Sequence, residues 1–198
     1  MTNTSRLLLT IPALATLTGT LFATPDERFL RMWEMSQRAR PAVVTAVSRI
    51  AAASEPGTRL VIHGVVVDPH GRPAAGVEVF AYHTDAGGTY AQPGAADPWR
   101  LKGWAVTDAQ GRFEFQTIRP APYPGREIPA HVHAVPTTGC CGRQFDDLMF
   151  EDDPLATSAY RERFAAAGEH GLYGAVARAA NGAEDVSYTI RIREHGNF

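Results

Sequence analysis

Arg59-Leu60-Val61-Ile62-His63-Gly64-Val65-Val66-Val67, running straight into Asp68-Pro69-His70-Gly71-Arg72-Pro73, decides the fold of this chain. Leu60 to Val67 is dense in β-branched side chains, which suit a pleated strand. The segment after it is built of turn formers: proline presets φ, glycine tolerates positive φ, and aspartate caps nearby amides. The same pattern recurs outward from this stretch. Val77, Val79 and Ala81 alternate with Glu78, Phe80 and Tyr82. Trp104-Ala105-Val106-Thr107 leads into a turn at Asp108-Ala109-Gln110-Gly111, after which Phe113 and Phe115 alternate with Arg112, Glu114 and Gln116. Ala130 to Val135 and Val186 to Ile192 predict two further strands. Short strands with turn signals at this spacing imply an all-β protein, a β-sandwich rather than a βαβ layout. Segments 84–103 and 136–180 read as long connections, and long loops on a rigid sheet are where sites concentrate.

Upstream of this core the pattern changes. Asp26 and Glu27 beside Pro25 mark a helix start, and Phe29, Leu30, Met32 and Trp33 recur at helical spacing, a stripe for packing on a core or a second subunit. Pro41 ends or bends that helix, and Ala42 to Ala53 is predicted to form a second helical stretch. Between Arg6 and Asp26 there is no charge, and Leu7 to Ala15 reads as the apolar part of an export signal, with Ala15 or Ala23 as the small residue at a cleavage point. The expected organisation is therefore an apolar leader over 1–23, a helical segment over 24–57 and a sandwich over 58–198. The leader predicts a periplasmic or secreted protein, with a cytoplasmic one as the alternative, and the helical segment is a candidate homo-oligomer interface.

With 198 residues, 44% of them hydrophobic and 20% charged, the chain is long enough to bury a core without staples. A net charge of −2, with acids and bases intermixed, offers no basic face to nucleic acid. Its two cysteines, Cys140 and Cys141, are adjacent, a spacing that fits neither a disulfide framework nor a four-ligand zinc site. They read as small core or loop residues, with a redox-sensitive or intermolecular pair as the alternative.

The chemistry concentrates in four side chains. Tyr90 follows Gly87-Gly88-Thr89, Tyr123 lies between Pro122 and Pro124, and His131 and His133 flank Val132. Two residues apart on a strand, the histidines share a face, as a metal mount requires. Two hard anionic oxygens with two imidazoles suit ferric iron better than zinc, which favours thiolate and imidazole, or copper, which favours nitrogen and sulfur. Each piece alone has a plainer reading: a turn tyrosine, a loop anchor, a structural histidine pair. His83 reads as structural, and Glu151-Asp152-Asp153 as a solvated acidic loop.

The order of these pieces resembles the intradiol ring-cleavage dioxygenases. The resemblance is carried by Gly64 to Asp68, Gly71-Arg72-Pro73, Tyr82-His83-Thr84-Asp85, Gly87 to Tyr90, Thr107 to Phe115, Pro122-Tyr123-Pro124, Pro129 to His133 and Phe150 to Pro154, and it fades toward residue 193. It implies Fe(III) held by Tyr90 and His131 in the equatorial plane and by Tyr123 and His133 on the axis, with a water or hydroxide as fifth ligand. It also implies that a catechol-type substrate chelates the iron, displacing Tyr123, which takes up a substrate proton, and that O2 opens the ring to a muconate-type diacid. Family members carry an arginine three residues before the first histidine, where it steadies negative charge in the ring. Here that position is Ile128, the Tyr123 to His131 interval is shorter, and Arg126 is the candidate replacement. Two other readings stay open: a non-catalytic transthyretin-like binding module, and a metal-binding relative without ring cleavage. Which catechol derivative is the substrate is left open by the altered loop.

Overall fold

The computed structural model describes residues 27–91, 95–139, 142–167 and 171–194. A first helix, α1 (Glu27–Gln37), precedes β1 (Val47–Arg49), β2 (Arg59–Val67), β3 (Glu78–His83), β4 (Leu101–Val106), β5 (Arg112–Ile118), β6 (His131–Thr138), β7 (Gly142–Arg143) and β8 (Asp146–Phe150). A second helix, α2 (Ser158–Ala166), leads to β9 (Gly171–Gly174), β10 (Val176–Arg178) and β11 (Glu184–Arg191). Among these residues no helix is long and apolar enough to cross a membrane. The export reading and the paired cysteines fall on residues outside those described.

The stretch at 59–67 forms the strand that its β-branched composition predicts. Leu60, Ile62 and Val66 are buried, whereas His63 is exposed on the opposite face. This strand lies at the centre of a five-stranded sheet ordered β1-β5-β2-β11-β10, antiparallel to β5 and parallel to β11. Its turn is tied as its composition suggests: Asp68 accepts from the amides of His70 and Arg72, each at 2.9 Å. The next turn requires glycine at 111, where φ is +72° and a Cβ would stand 2.4 Å from the Val66 carbonyl oxygen.

The second sheet runs β4-β3-β6-β8-β9, with β7 attached to β6. Its inner face gives Val79, Ala81, Val132 and Leu148 to a core shared with Ile62, Phe115 and Ile190 of the first sheet. Each of the larger of these side chains removed from water stabilises the fold by roughly 1.5–3 kcal/mol. The outer face is apolar as well. Phe80, Tyr82, Trp104 and Val135 gather there with Trp99 from the β3–β4 connection and Trp33 from α1. Trp33 meets Phe80 edge-on at 5.0 Å, and this contact docks the helix on the sheet. The second sheet is thus covered on both sides, and the site lies in its outer layer.

Three expectations need correction. Residues 42–53 form no second helix: β1 lies there and pairs in parallel with β5, through Val47↔Glu114 to Arg49↔Gln116. Val43, Val44, Thr45, Val47 and Ile50 favour an extended chain, the amides of Glu114 and Ile50 complete the edge at 2.8 and 2.9 Å, and Ile50 enters the core. The sandwich therefore begins before residue 58. Next, the connection over 136–180 is not one long loop, since it contains β7, β8, α2, β9 and β10. Finally, the acidic run is not uniformly solvated. Asp153 is buried and accepts the Ala130 amide at 2.9 Å, just ahead of the His131 strand, and Asp152 bridges Arg119 and Arg178.

Candidate metal centre

His131 and His133 occupy the start of β6, on the face turned toward the outer aromatic layer, while Val132 between them points into the core. Each imidazole is oriented through its Nδ1. That of His131 donates to the Pro129 carbonyl at 2.7 Å, and that of His133 to Asp147 at 2.5 Å. Asp147 stands opposite His133 in the β6–β8 register, so strand pairing itself sets this contact. Both Nδ1 protons being used, both Nε2 lone pairs are left facing the same point, 3.2 Å apart. Tyr82 flanks the His133 ring at 4.6 Å and is in turn stacked on Trp99 at 3.9 Å.

The two phenols come from loops that are laced together. Asp85 accepts from the amides of Gly87 and Thr89 at 2.9 and 3.0 Å and from the Thr89 hydroxyl at 2.9 Å, shaping the turn that ends in Tyr90. The Thr84 hydroxyl donates to the Ala121 carbonyl at 2.7 Å, and the Ala121 amide to the Asp85 carbonyl at 3.1 Å. Gly88 makes this approach possible: its φ is +79°, and a Cβ there would lie 2.2 Å from the Pro122 carbonyl oxygen. Tyr123 is held between its two prolines and by the turn that closes from the Arg126 amide to its carbonyl at 3.1 Å.

All four sequence-predicted donors meet. The Tyr90 hydroxyl touches the Tyr123 hydroxyl and lies 2.7 Å from His133 Nε2. The Tyr123 hydroxyl lies 3.1 Å from His131 Nε2 and 3.3 Å from His133 Nε2. Donor atoms bound at about 2.0 Å to one ion stand about 3 Å apart, and these separations fall close to that spacing. The protonation states also fit a cation. Burial lowers His131 to about 4, helped by the charge of His133, so its imidazole is a neutral lone-pair donor at neutral pH. Burial and the neighbouring phenol push Tyr90 far above the ordinary phenol range, and burial raises Tyr123 as well. A bound cation reverses that preference, because its charge stabilises phenolate.

Asp147 is the residue that sequence reading missed. With His131 and His133 it forms a cluster whose ligand atoms lie within 4.8 Å, but its oxygen engages the Nδ1 of His133, the far side of the ring from the phenols. Burial opposes its ionisation, yet the charge and hydrogen bond of His133 outweigh this and hold its carboxyl below the usual range. It orients a donor rather than adding one. Arg126 is exposed, and among the described residues its guanidinium makes no hydrogen bond or ion pair, although its charge favours the Tyr123 phenolate. Ile128, at the position where the family resemblance implies an arginine, is half-buried. His83 is a structural histidine, fully buried between Thr84 and Thr117.

A β-sandwich carrying a histidine–carboxylate cluster faced by two phenols is a metalloprotein of defined class. The sequence profile of the family described as Dioxygenase matches residues 36–194, and the chain belongs to this family, the intradiol dioxygenases. It is 33% identical over 115 residues to catechol 1,2-dioxygenase 1 of Acinetobacter lwoffii, a match covering 48% of this chain and 37% of that one. It is 32% identical over 125 residues to chlorocatechol 1,2-dioxygenase of Rhodococcus opacus, covering 54% and 49%. The match thus spans half or less of these relatives' length. Among solved structures, the dioxygenase domain of a dioxygenase carbohydrate-binding protein fusion from Streptomyces sp. SirexAA-E shares the fold, with a TM-score of 0.58 over 77% of this chain and 90% of that one, at 23% identity.

Proposed function

We propose that the chain is a non-haem Fe(III) intradiol dioxygenase, with Tyr90, Tyr123, His131 and His133 as the iron ligands, that opens a catechol-type ring with O2 to a muconate-type diacid. The observation carrying this reading is the convergence of the four donors with both Nδ1 atoms already committed elsewhere. Two phenols beside two imidazoles match a hard trivalent ion in charge and softness. Ferric iron bound there would act as template and Lewis acid for a chelating catechol and make it reactive toward O2.

The protein's own residues divide the remaining work. Tyr90, clamped by the Asp85 turn, stays in place and keeps one side of the site fixed. Tyr123, on a proline-flanked loop with exposed neighbours, is the phenol free to swing aside. Burial favours its protonated form, so its phenolate takes up a substrate hydroxyl proton and holds it at Oη. Tyr82 and Phe145 pack against His133, with Trp99 stacked behind Tyr82, and exclude water on that side. Arg126 is the cation nearest to this loop in sequence and supports negative charge that builds on the ring.

Ile128 favours one second reading, a relative that binds metal and catechol without cleaving the ring. One experiment separates the two. Ferric-loaded protein is expected to show a broad tyrosinate-to-iron band that shifts when catechol is added, with O2 consumed stoichiometrically as the diacid forms. A shifted band without oxygen uptake selects the second reading. A protein that stays colourless after ferric reconstitution overturns both.

A further inference from the structure

A groove of about 580 Å³ lies beside α1, with Arg28, Arg31, Met32, Met35, Tyr90 and Pro98 in its walls. That volume lies within the roughly 300–1,000 Å³ of sites that hold ligands well beyond one aromatic ring. The helical residues fall at i, i+3, i+4 and i+7, which places them on one face. Their orientation is fixed from the other side, where Trp33 packs on Phe80, and Phe29 lies 5.6 Å from Trp99. Docking α1 through its aromatic stripe therefore leaves Arg28 and Arg31 in the wall of the groove. Arg31 also meets Glu27 at 3.4 Å, an exposed ion pair of the weak kind. Among the described residues no carboxylate lines the groove.

Tyr90 belongs both to this wall and to the four-donor centre. A substituent on a ring held at the centre thus has an adjacent space that is apolar through Met32 and Met35 and cationic through Arg28 and Arg31. We propose that the groove is a subsite for an anionic side chain, so that the preferred substrate is a catechol bearing a carboxylate on a short apolar tether. The inference rests on the dioxygenase reading and specifies its substrate class. Methionines adapt to the shape of a tether, and arginine binds a carboxylate through paired N–H donors.

The test compares dihydroxyphenylpropionate with its neutral isostere dihydroxyphenylpropionamide, titrated anaerobically into the ferric-loaded full chain while the iron–phenolate band is followed. The acid is expected to bind about tenfold more tightly than the amide, with the ratio shrinking as salt is raised. In the Arg28→Gln/Arg31→Gln double variant the ratio is expected to fall to about one. Equal affinities in the parent chain, or a preference that survives in the double variant, overturn the subsite while leaving the dioxygenase reading intact. If neither compound nor catechol itself moves the band, the dioxygenase reading fails and the subsite falls with it.

Discussion

Three histidines on two adjacent strands set the two proposed metal donors against a core residue. His83, on β3, points into the space between the sheets, and His131 and His133, on β6, point into the outer layer. His83 and His131 are alike in being buried and in having burial lower their pKa to about 4. They differ in bookkeeping at the ring nitrogens. His83 spends both, on the Thr84 carbonyl and the Thr117 hydroxyl, each at 2.7 Å. His131 and His133 each spend Nδ1 on an acceptor and turn Nε2 toward the phenols. Burial and a depressed pKa therefore do not set a site histidine apart; what distinguishes His131 and His133 is an Nε2 turned toward the two phenols.

The largest effect is expected where such an Nε2 is deleted. His131→Ala removes one of four donors, and ferric affinity is expected to drop by more than about 100-fold, above what loss of a supporting residue costs. Metal analysis after dialysis against a chelator measures this. Full iron retention would mean that the Nε2 atoms converge for another reason. Tyr90→Phe is expected to act in the same direction and to weaken the phenolate-to-iron band.

Next comes the residue that aims a donor. Asp147→Asn keeps the shape but removes the charge that orients and polarises His133, and about 10–100-fold is expected in metal affinity or activity. The iron–phenolate band should shift as well, which a merely structural carboxylate would not cause. This residue also shows where legibility ended. The strands were readable because alternation reports on faces, and the His-x-His pair because two residues on one strand must share a face. Asp147 was not, because its partner is chosen by β6–β8 register, which no local pattern encodes. The same limit applies to β1, whose parallel pairing with β5 joins residues about 67 positions apart, and to Asp153, which lies in an acidic run and yet is buried on the Ala130 amide. The groove beside α1 was invisible for a related reason: it exists only once the helix has docked.

A smaller effect is expected from Arg126→Gln. The side chain is exposed and acts on Tyr123 only through its field, so metal content should be unchanged and turnover should fall by less than about tenfold. That loss should shrink further at high salt. A loss of several hundredfold would instead show that Arg126 reaches the reacting ring directly and replaces the arginine missing at position 128.

The smallest effect on metal is expected from His83→Gln, although its effect on stability is not small. Glutamine keeps a donor and an acceptor near Thr84 and Thr117, so ferric affinity should match the parent chain, and a large loss would erase the distinction between the two kinds of histidine. Stability follows from linkage. The folded His83 titrates at about 4, whereas the unfolded side chain titrates near ~6.5. Below the unfolded value the unfolded chain binds a proton that the folded one refuses, so this stabilisation is present at neutral pH and is lost as pH falls from about 6.5 toward about 4. The difference over that window is on the order of 3 kcal/mol. A glutamine has no such titration. Denaturant unfolding of the metal-free proteins at pH 7 and at pH 4.5 should therefore show the parent losing about 2 kcal/mol more than the variant. Metal-free protein is the right material, because bound iron would add its own pH dependence through His131 and His133. Equal losses in both proteins would mean that His83 opens to solvent before it protonates, so that its sealed position between the sheets does not control its charge.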